Sequence, residues 1–327
     1  AVQYEALARD LAAGRGWATD AIGPTEMFFR PPLYPWVVAG LYAIFGPHIG
    51  VVQAAQCLLG AGSALLAAAL ARRLGGATAA WIAGAIVAFH PLLIQQSGEL
   101  LTEALFVFLY LAALLLFLRA ADRPDRENAR RPATSALAAG GVLGLSILCR
   151  PTPLALLPIL AAALFLWRSR RIARSAGPPP LGAARASRYG PPLRATVLYL
   201  AGVGLVLAPW QLWMADRQGA GIAVATTSEF TLYLGNAPGW AERVFFRGEE
   251  AAGQDWDLAH YRMIRERPPG WFAAEARRNI AADPGRFVRL TAIRAGRLAK
   301  VLPDLHAAPG RILFSFVAHT ILLPLGL

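Results

Sequence analysis

Charged residues are scarce in this chain of 327 residues, where they make up 16% of the total. A typical soluble domain carries about 25% charged residues. Hydrophobic residues make up 56% of the chain, and its mean hydropathy is +0.43. So low a share of charge excludes an ordinary soluble domain and favours a protein that lies within a membrane.

Cysteine is almost absent as well, since Cys57 and Cys149 are the only two. They lie far apart, each in or beside an apolar stretch, which excludes a disulfide framework and a cysteine-based zinc site. We expect both to be inert core residues. The five histidines show no spacing typical of metal ligands, and we expect them to be structural: His48, His90, His260, His306 and His319.

Long stretches without Asp, Glu, Lys or Arg are abundant instead, namely residues 51–71, 74–98, 133–149, 151–167, 195–215 and 312–327. About 20 apolar residues in a helix span the hydrocarbon of a bilayer, at about 1.5 Å per residue. The shorter stretches are extended by arginines whose head groups reach the interface. The sequence therefore predicts an all-α fold, a polytopic transmembrane helical bundle.

The net charge of +12 raises the question of a nucleic-acid partner. The arginines are spread over short loops between apolar stretches and form no basic domain, so we expect no nucleic acid. Cytoplasmic loops are rich in Lys and Arg, which places Arg72 and the loops 119–133 and 168–194 on the cytoplasmic side. The helices between them then alternate in direction.

This topology predicts four parts, which are a first periplasmic loop with juxtamembrane helices (1–49), a transmembrane core of about six helices (50–214), a periplasmic loop with amphipathic helices (215–305) and the start of a further span (309–327). The sequence begins without Met and stops inside an apolar stretch. We therefore expect it to be a fragment, truncated within its first loop and its last span.

Two acids open one of the apolar stretches, in "GELLTEALF". Glu99 and Glu103 are four residues apart and would share a face of a helix predicted over 99–118. Acids in membrane segments are costly and favour a functional role. The alternative is an acid in the first helical turn, favoured by the helix dipole, with Ser97 as the N-cap. Arg150 lies in an outer turn, against the positive-inside trend, although it could also be a snorkelling anchor.

Six segments occur in an order that resembles one known family: "YEALARDLAAGRGW", "FRPPLYPWVVAGLYAIFG", "GELLTEALF", "LCRPTPLALLP", "LAPWQLW" and "EFTLYLGNAPG". The family is the bacterial membrane glycosyltransferases of the GT-C fold. It includes relatives of the protein O-mannosyltransferases and of the aminoarabinose transferase that modifies lipid A. The resemblance covers most of residues 1–300.

The resemblance implies a multi-pass enzyme of the bacterial inner membrane with its active site facing the periplasm. It would transfer a sugar from a polyprenyl-phosphate-linked donor to an acceptor that is a lipid, a polysaccharide or a protein. Its partners are these substrates and membrane lipids. The sugar and the acceptor stay open.

Matching positions give the candidate site. Glu103 matches the family's second acidic position, and we add Glu99 as a second catalytic candidate. Arg30 and Arg150 match basic residues that contact the donor phosphate. The principal catalytic acid of the family is expected just before Ala1. For substrate binding the candidates are Tyr4 and Tyr34, with anchoring at the membrane interface as the alternative.

No cofactor is implied with certainty. The aminoarabinose enzymes carry Glu directly before the first-loop basic residue as part of a metal site, and Phe29 stands there in this chain. The substitution argues against a metal at that place, while a divalent metal elsewhere stays open.

Two other classes of function stay open at this stage. One is a polytopic transporter or lipid flippase, although such proteins usually show inverted repeats and spans broken near the midplane, and neither is evident here. The other is a non-catalytic membrane scaffold that retains the GT-C fold.

Overall fold

A computed structural model describes residues 2–17, 30–122, 130–175, 186–218, 227–238, 267 and 270–298. Within those residues every regular element is helical, which confirms the predicted all-α class. The elements are α1 (Val2–Ala12), α2 (Leu33–Phe45), α3 (Ile49–Ala88), α4 (Pro91–Ser97), α5 (Glu103–Asp122), α6 (Arg130–Cys149), a 3-10 turn (Thr152–Leu156), α7 (Leu157–Ser175), α8 (Ala186–Gln218), α9 (Thr227–Asn236), α10 (Trp271–Ala282) and α11 (Pro284–Leu298).

Four of the described helices are long and apolar enough to cross a membrane, namely Ile49–Ala88, Glu103–Asp122, Thr152–Ala173 and Gly190–Asp216. Large apolar side chains such as Leu58, Trp81 and Leu205 are exposed on them. A soluble protein rarely exposes such surface so widely, whereas lipid covers it without cost. The polytopic bundle predicted from the sequence is therefore confirmed. The further span predicted at 309–327 lies outside the described residues.

Helix α3 folds back on itself at Gly76. This residue has φ 80° and ψ −164°, a conformation that glycine adopts readily and other residues avoid. A Cβ added at Gly84 would lie 3.2 Å from the Cβ of Ala68. The two residues would be about 24 Å apart in a straight helix, so the arms before and after Gly76 lie side by side. The predicted pair of spans is thus a tight helical hairpin.

The second arm differs from the prediction of one continuous helix over 77–96. Helix α3 ends at Ala88, and α4 begins at Pro91. Proline has no N–H to donate and its ring clashes with the preceding turn, so it starts a helix well and continues one badly. The second arm is therefore a helix interrupted at Phe89 and His90.

Four helices form a closed ring, in which α5 packs on α6, α6 on α8, α8 on α7 and α7 on α5. Helices α6 and α8 approach so closely that a Cβ at Gly140 would lie 1.9 Å from the carbonyl oxygen of Tyr199. A Cβ at Gly202 would lie 2.2 Å from the carbonyl oxygen of Leu137. Small residues allow this contact between backbones, as is common between helices in membranes.

The chain forms two compact units. The first is Ala1–Ala8, Pro31–Phe89 and Leu93–Val224, and the second is Arg9–Arg30, His90–Leu92 and Ala225–Leu327. The four parts predicted from the sequence were defined by the side of the membrane on which they lie, whereas these two units are defined by compactness. The predicted boundaries near 49, 214 and 305 therefore stay predictions.

Helices α1 and α2 lie in residues 1–49, where the sequence predicts juxtamembrane helices. Helix α1 buries Tyr4 and Leu7, which lie on one face of the helix. It ends at Ala12, before Gly14, which has a positive φ. Helix α2 begins just after Pro32 and covers 13 residues.

In the second unit, α9 and α10 pack through the rings of Phe230 and Phe272, whose centroids are 5.0 Å apart. Asp283 breaks the chain between α10 and α11, and its Oδ1 accepts a bond from the backbone N–H of Arg286. Helices α10 and α11 both lie in the segment 215–305, where the sequence predicts amphipathic helices.

Candidate active site

An ion pair joins the start of α5 to the end of α6. Oε1 of Glu103 lies 2.5 Å from Nη1 of Arg150, although the residues are 47 positions apart. Glu103 is the first residue of α5, and Arg150 directly follows the last residue of α6. The two helices pack as antiparallel neighbours, so the beginning of one meets the end of the other. The structure thus brings together two of the predicted site residues.

Glu103 is held by the way in which α5 begins. The carbonyl oxygen of Thr102 accepts the first helical bond, from the N–H of Phe106 at 2.9 Å. It also lies 3.6 Å from Sγ of Cys149, which is buried as predicted, whereas Cys57 is exposed and its prediction as a core residue was wrong. The Thr102 hydroxyl donates to Oε2 of Glu103 at 3.3 Å. The helix dipole favours an acidic side chain at a helix N-terminus, so the beginning of α5 is a suitable place for Glu103.

Arg150 is placed by the end of α6. Its backbone N–H still donates to the carbonyl of Ser146 at 2.8 Å, but Pro151 follows, and a residue before proline is pushed out of the helical conformation. The guanidinium lies over the ring of Phe106, 5.8 Å from the centroid. Its side chain is 40% exposed, against 23% for Glu103. The pair is therefore partly buried and still open to a ligand.

Glu99 lies outside α5, contrary to the expectation that it shares a helical face with Glu103. Helix α5 begins at Glu103, and Glu99 is exposed in the connection from α4. Its Oε1 accepts from Nε2 of Gln95 at 3.4 Å. The N-cap prediction for Ser97 was also wrong, because its hydroxyl donates to the carbonyl of Leu93 at the end of α4. The two acids are therefore not equivalent, and Glu103 alone pairs with Arg150.

Tyr34 lies close to the pair and is 2% exposed. Its hydroxyl donates to Oε1 of Gln56 at 2.7 Å, and its ring meets Tyr4 edge to face at 5.1 Å. Burial raises the pKa of Tyr34 above its ordinary value, and the nearby Tyr4 and Glu103 push it further in the same direction. The hydroxyl therefore stays protonated and keeps donating. Such a buried ring supports its neighbours and leaves little surface for a substrate.

Arg30, the second predicted phosphate ligand, precedes Pro31 and is partly buried. It belongs to the second compact unit, whereas Glu103 and Arg150 belong to the first. Its role as a phosphate ligand stays a prediction.

Two glutamines near the beginning of α3, Gln53 and Gln56, were not identified from the sequence. Gln56 is 2% exposed and donates to two carbonyls of the connection between α4 and α5. Gln53 donates to the carbonyl of Gly98 in the same connection, at 2.7 Å. The signal was present, because Gln53 and Gln56 lie at i and i+3 within a charge-free stretch and so share one helical face.

The side chains around Glu103 and Arg150 offer few ligands for a metal ion. Among the described residues, no three His, Cys, Asp or Glu side chains gather into a group that could hold an ion. Glu103 is engaged with Arg150, a cation that would compete with a metal for its oxygens. The residues around the pair therefore do not fit a metal ion.

Residues 29–184 match the model of a family described as dolichyl-phosphate-mannose-protein mannosyltransferase. The match covers just under half of the chain. It includes Arg30, Tyr34, Glu99, Glu103 and Arg150, while Tyr4 lies before it. The match supports a relationship to the GT-C glycosyltransferases, as the sequence motifs suggested. No curated protein and no solved structure matches the chain.

Proposed function

We propose that this protein is a membrane glycosyltransferase that moves a sugar from a polyprenyl-phosphate donor to an acceptor at the periplasmic face of a bacterial inner membrane. The observation that carries the proposal is the ion pair between Glu103 and Arg150. It combines a carboxylate with a phosphate-binding cation at one end of an apolar bundle. The family match over residues 29–184 supports the same class of reaction.

Arg150 is the proposed ligand of the donor phosphate. Guanidinium presents five N–H donors in a planar fork that matches phosphate oxygens. One nitrogen, Nη1, contacts Glu103, and the partly exposed remainder has donors to offer. Charge grows on the phosphate as it leaves, so a fixed cation there stabilises the transition state. Arg150 would thus hold the leaving group beside Glu103.

Glu103 is the proposed carboxylate of the site. In the reaction the bond between the anomeric carbon and the phosphate oxygen breaks, and its electron pair leaves with the phosphate. A bond forms between that carbon and the acceptor oxygen, whose proton passes to a carboxylate within hydrogen-bond reach. A phosphate that binds to Arg150 competes with Glu103 for the guanidinium and weakens the ion pair. Donor binding would therefore free Glu103 to accept a hydrogen bond from the acceptor hydroxyl, and the proton passes either to Glu103 or to the principal catalytic acid that the family resemblance implies.

The other predicted residues keep supporting roles in this proposal. Arg30 is a second cation for the donor phosphate, and Glu99 is an exposed acid at the approach to the site. Tyr4 and Tyr34 pack against each other between α1 and α2. Tyr34 acts through its hydrogen bond to Gln56 and does not contact the substrate. The acceptor is a lipid, a polysaccharide or a protein.

Charge at the opposite end of α5 supports the periplasmic placement. Asp122, the last residue of α5, lies 2.9 Å from Arg171 and 3.8 Å from Arg73. Arg168 donates to the carbonyl of Ala120 nearby, at 2.5 Å. Clusters of arginine favour the cytoplasmic side, so the end with Glu103 and Arg150 would face outward.

The test is sugar transfer from a labelled polyprenyl-phosphate mannose in proteoliposomes that contain the purified protein. We expect Glu103→Gln and Arg150→Ala to lower kcat/KM about 100-fold or more, the usual range for loss of a proton-transfer or charge-stabilising group. Asp122→Asn and Arg171→Ala remove a matched ion pair at the other end of α5 and should change transfer less than about threefold. Equal losses for both pairs would overturn the site.

The same proteoliposomes distinguish the enzyme from the alternative of a transporter or lipid flippase. Labelled lipid that crosses the bilayer with no new glycosidic bond would favour a flippase. A product that contains the sugar, with its label no longer in the polyprenyl phosphate, supports the enzyme.

A further inference from the structure

Gln56 is a buried polar residue within an apolar helix. Its side chain is 2% exposed, and residues 51–71 around it carry no charge. A buried amide without hydrogen bonds costs about 1–3 kcal/mol, so its partners indicate why it is tolerated there.

The hydrogen-bond partners of Gln56 among the described residues belong to other elements. Its Nε2 donates to the carbonyl of Ser97 at 2.9 Å and to that of Glu99 at 2.7 Å. Its Oε1 accepts from the Tyr34 hydroxyl at 2.7 Å. The hydroxyl of Tyr34 orients the amide of Gln56, because a donor must face the amide oxygen. The amide nitrogen then faces the two carbonyls. One side chain therefore ties α2 and α3 to the connection that leads into α5.

That connection determines where α5 begins. The carbonyl of Ser97 is one of those left over when α4 ends, and it needs a donor from elsewhere. The carbonyl of Glu99 also accepts from the N–H of Leu101 at 2.9 Å, which closes the turn. Thr102 then caps α5, and Glu103 follows. Only three residues lie between Glu99, whose carbonyl is anchored, and Glu103, so the anchor limits where the carboxylate can lie.

We propose that Gln56 is a positioning residue, which fixes the start of α5 so that Glu103 meets Arg150. Its effect on the geometry stands on the hydrogen bonds above, while its effect on catalysis rests on the proposed function. Among the described hydrogen bonds of Gln56, none goes to the side chain of Glu103 or Arg150. It acts through the backbone of residues 97–102.

The geometric part is tested by stability in detergent micelles, without any substrate. Gln56→Met keeps the length of the side chain and removes all three bonds. If Gln56 positions Glu103, the drop in melting temperature of the Gln56→Met and Glu103→Gln double variant should be clearly smaller than the sum of the single drops. Ser63→Ala is the control, since the buried Ser63 hydroxyl donates only within α3, to Leu59 at 2.8 Å. Its drop should add to that of Glu103→Gln.

The catalytic part is tested by transfer kinetics on the same variants. Misplacement of a reacting group by about 1 Å costs about 100-fold in rate, so Gln56→Met should lower kcat about 10- to 100-fold with the donor KM changed less than about threefold. Ser63→Ala should leave both near wild type. A variant that only loses stability would have a smaller active fraction, with no change in hydrogen exchange at residues 98–103. In Gln56→Met, by contrast, hydrogen exchange at these residues should become faster.

The outcomes separate the two proposals. Additive melting shifts for Gln56→Met and Glu103→Gln, with unchanged exchange at residues 98–103, would overturn the positioning role whatever the activity. Coupled shifts with no sugar transfer by wild type would support the positioning role and overturn the proposed function. Wild-type kcat in Gln56→Met, with transfer lost in Glu103→Gln, would overturn the positioning role alone.

Discussion

At the scale of single residues, the magnitude of the Glu103–Arg150 interaction argues for function more than for stability. Both side chains are partly exposed, at 23% and 40%. Partly exposed ion pairs contribute about 0–1 kcal/mol to folding. So small a contribution to stability does not explain why two charged residues lie beside an apolar bundle. Binding of a phosphate by Arg150, with the carboxylate of Glu103 beside it, does explain their presence.

Replacement of Arg150 by lysine should separate charge from shape. Lysine keeps the positive charge but loses the planar fork that pairs with phosphate oxygens. We expect Arg150→Lys to lose less transfer activity than Arg150→Ala, with an increase in the donor KM as the larger part of the loss. Steady-state kinetics over a range of donor concentrations checks this. Full activity in Arg150→Lys would show that the fork is not used.

At the scale of elements, the glycines between α6 and α8 determine how the bundle closes. Gly202 is buried, and an added Cβ would lie 2.2 Å from the carbonyl oxygen of Leu137. Gly204, two residues further along α8, has nothing within 4 Å of an added Cβ. The same helix thus offers one glycine that packing requires and one that it does not.

Alanine substitutions at these two glycines should have opposite effects. Gly202→Ala forces backbones apart and should lower stability by about 1–3 kcal/mol or more, as overpacking does. Gly204→Ala should be neutral or stabilising by up to about 1 kcal/mol, because alanine is the better helix former. Melting curves in detergent measure both. A loss in Gly204→Ala equal to that in Gly202→Ala would contradict the packing of α6 on α8.

Much of the helical layout could be predicted from the sequence, because charge-free stretches report directly on membrane spans. The details at the ends of helices could not. The span predicted over 99–118 lies about one turn later, as α5 at Glu103–Asp122, since Gln56 holds the preceding connection outside the helix. Glu103 and Arg150 were each identified by position, but their contact depends on antiparallel packing that spacing along the chain does not contain.

At the scale of the whole molecule, the bundle separates its charges between two ends. One end of α5 carries Glu103 with Arg150, and the other carries Asp122 with Arg73 and Arg171. In the proposed orientation, which follows the positive-inside rule, the second end would face the cytoplasm. The proposed site then opens to the side at which a polyprenyl-linked sugar would be used.

Labelling of introduced cysteines should reveal this orientation. Glu99 and Arg170 are both exposed and lie near opposite ends of the bundle. In a Cys57→Ala background, with Cys149 buried, a membrane-impermeant thiol reagent added to spheroplasts should label Glu99→Cys and leave Arg170→Cys unlabelled until the membrane is broken. The reverse pattern would place the site in the cytoplasm.

The most direct test of the central claim is the transfer rate of the double variant Glu103→Gln with Arg150→Ala. Residues that act as one catalytic unit lose activity non-additively. We predict that kcat/KM of the double variant lies within about threefold of the worse single variant. If the two losses multiply, the residues act independently, and the claim that they form one site is contradicted.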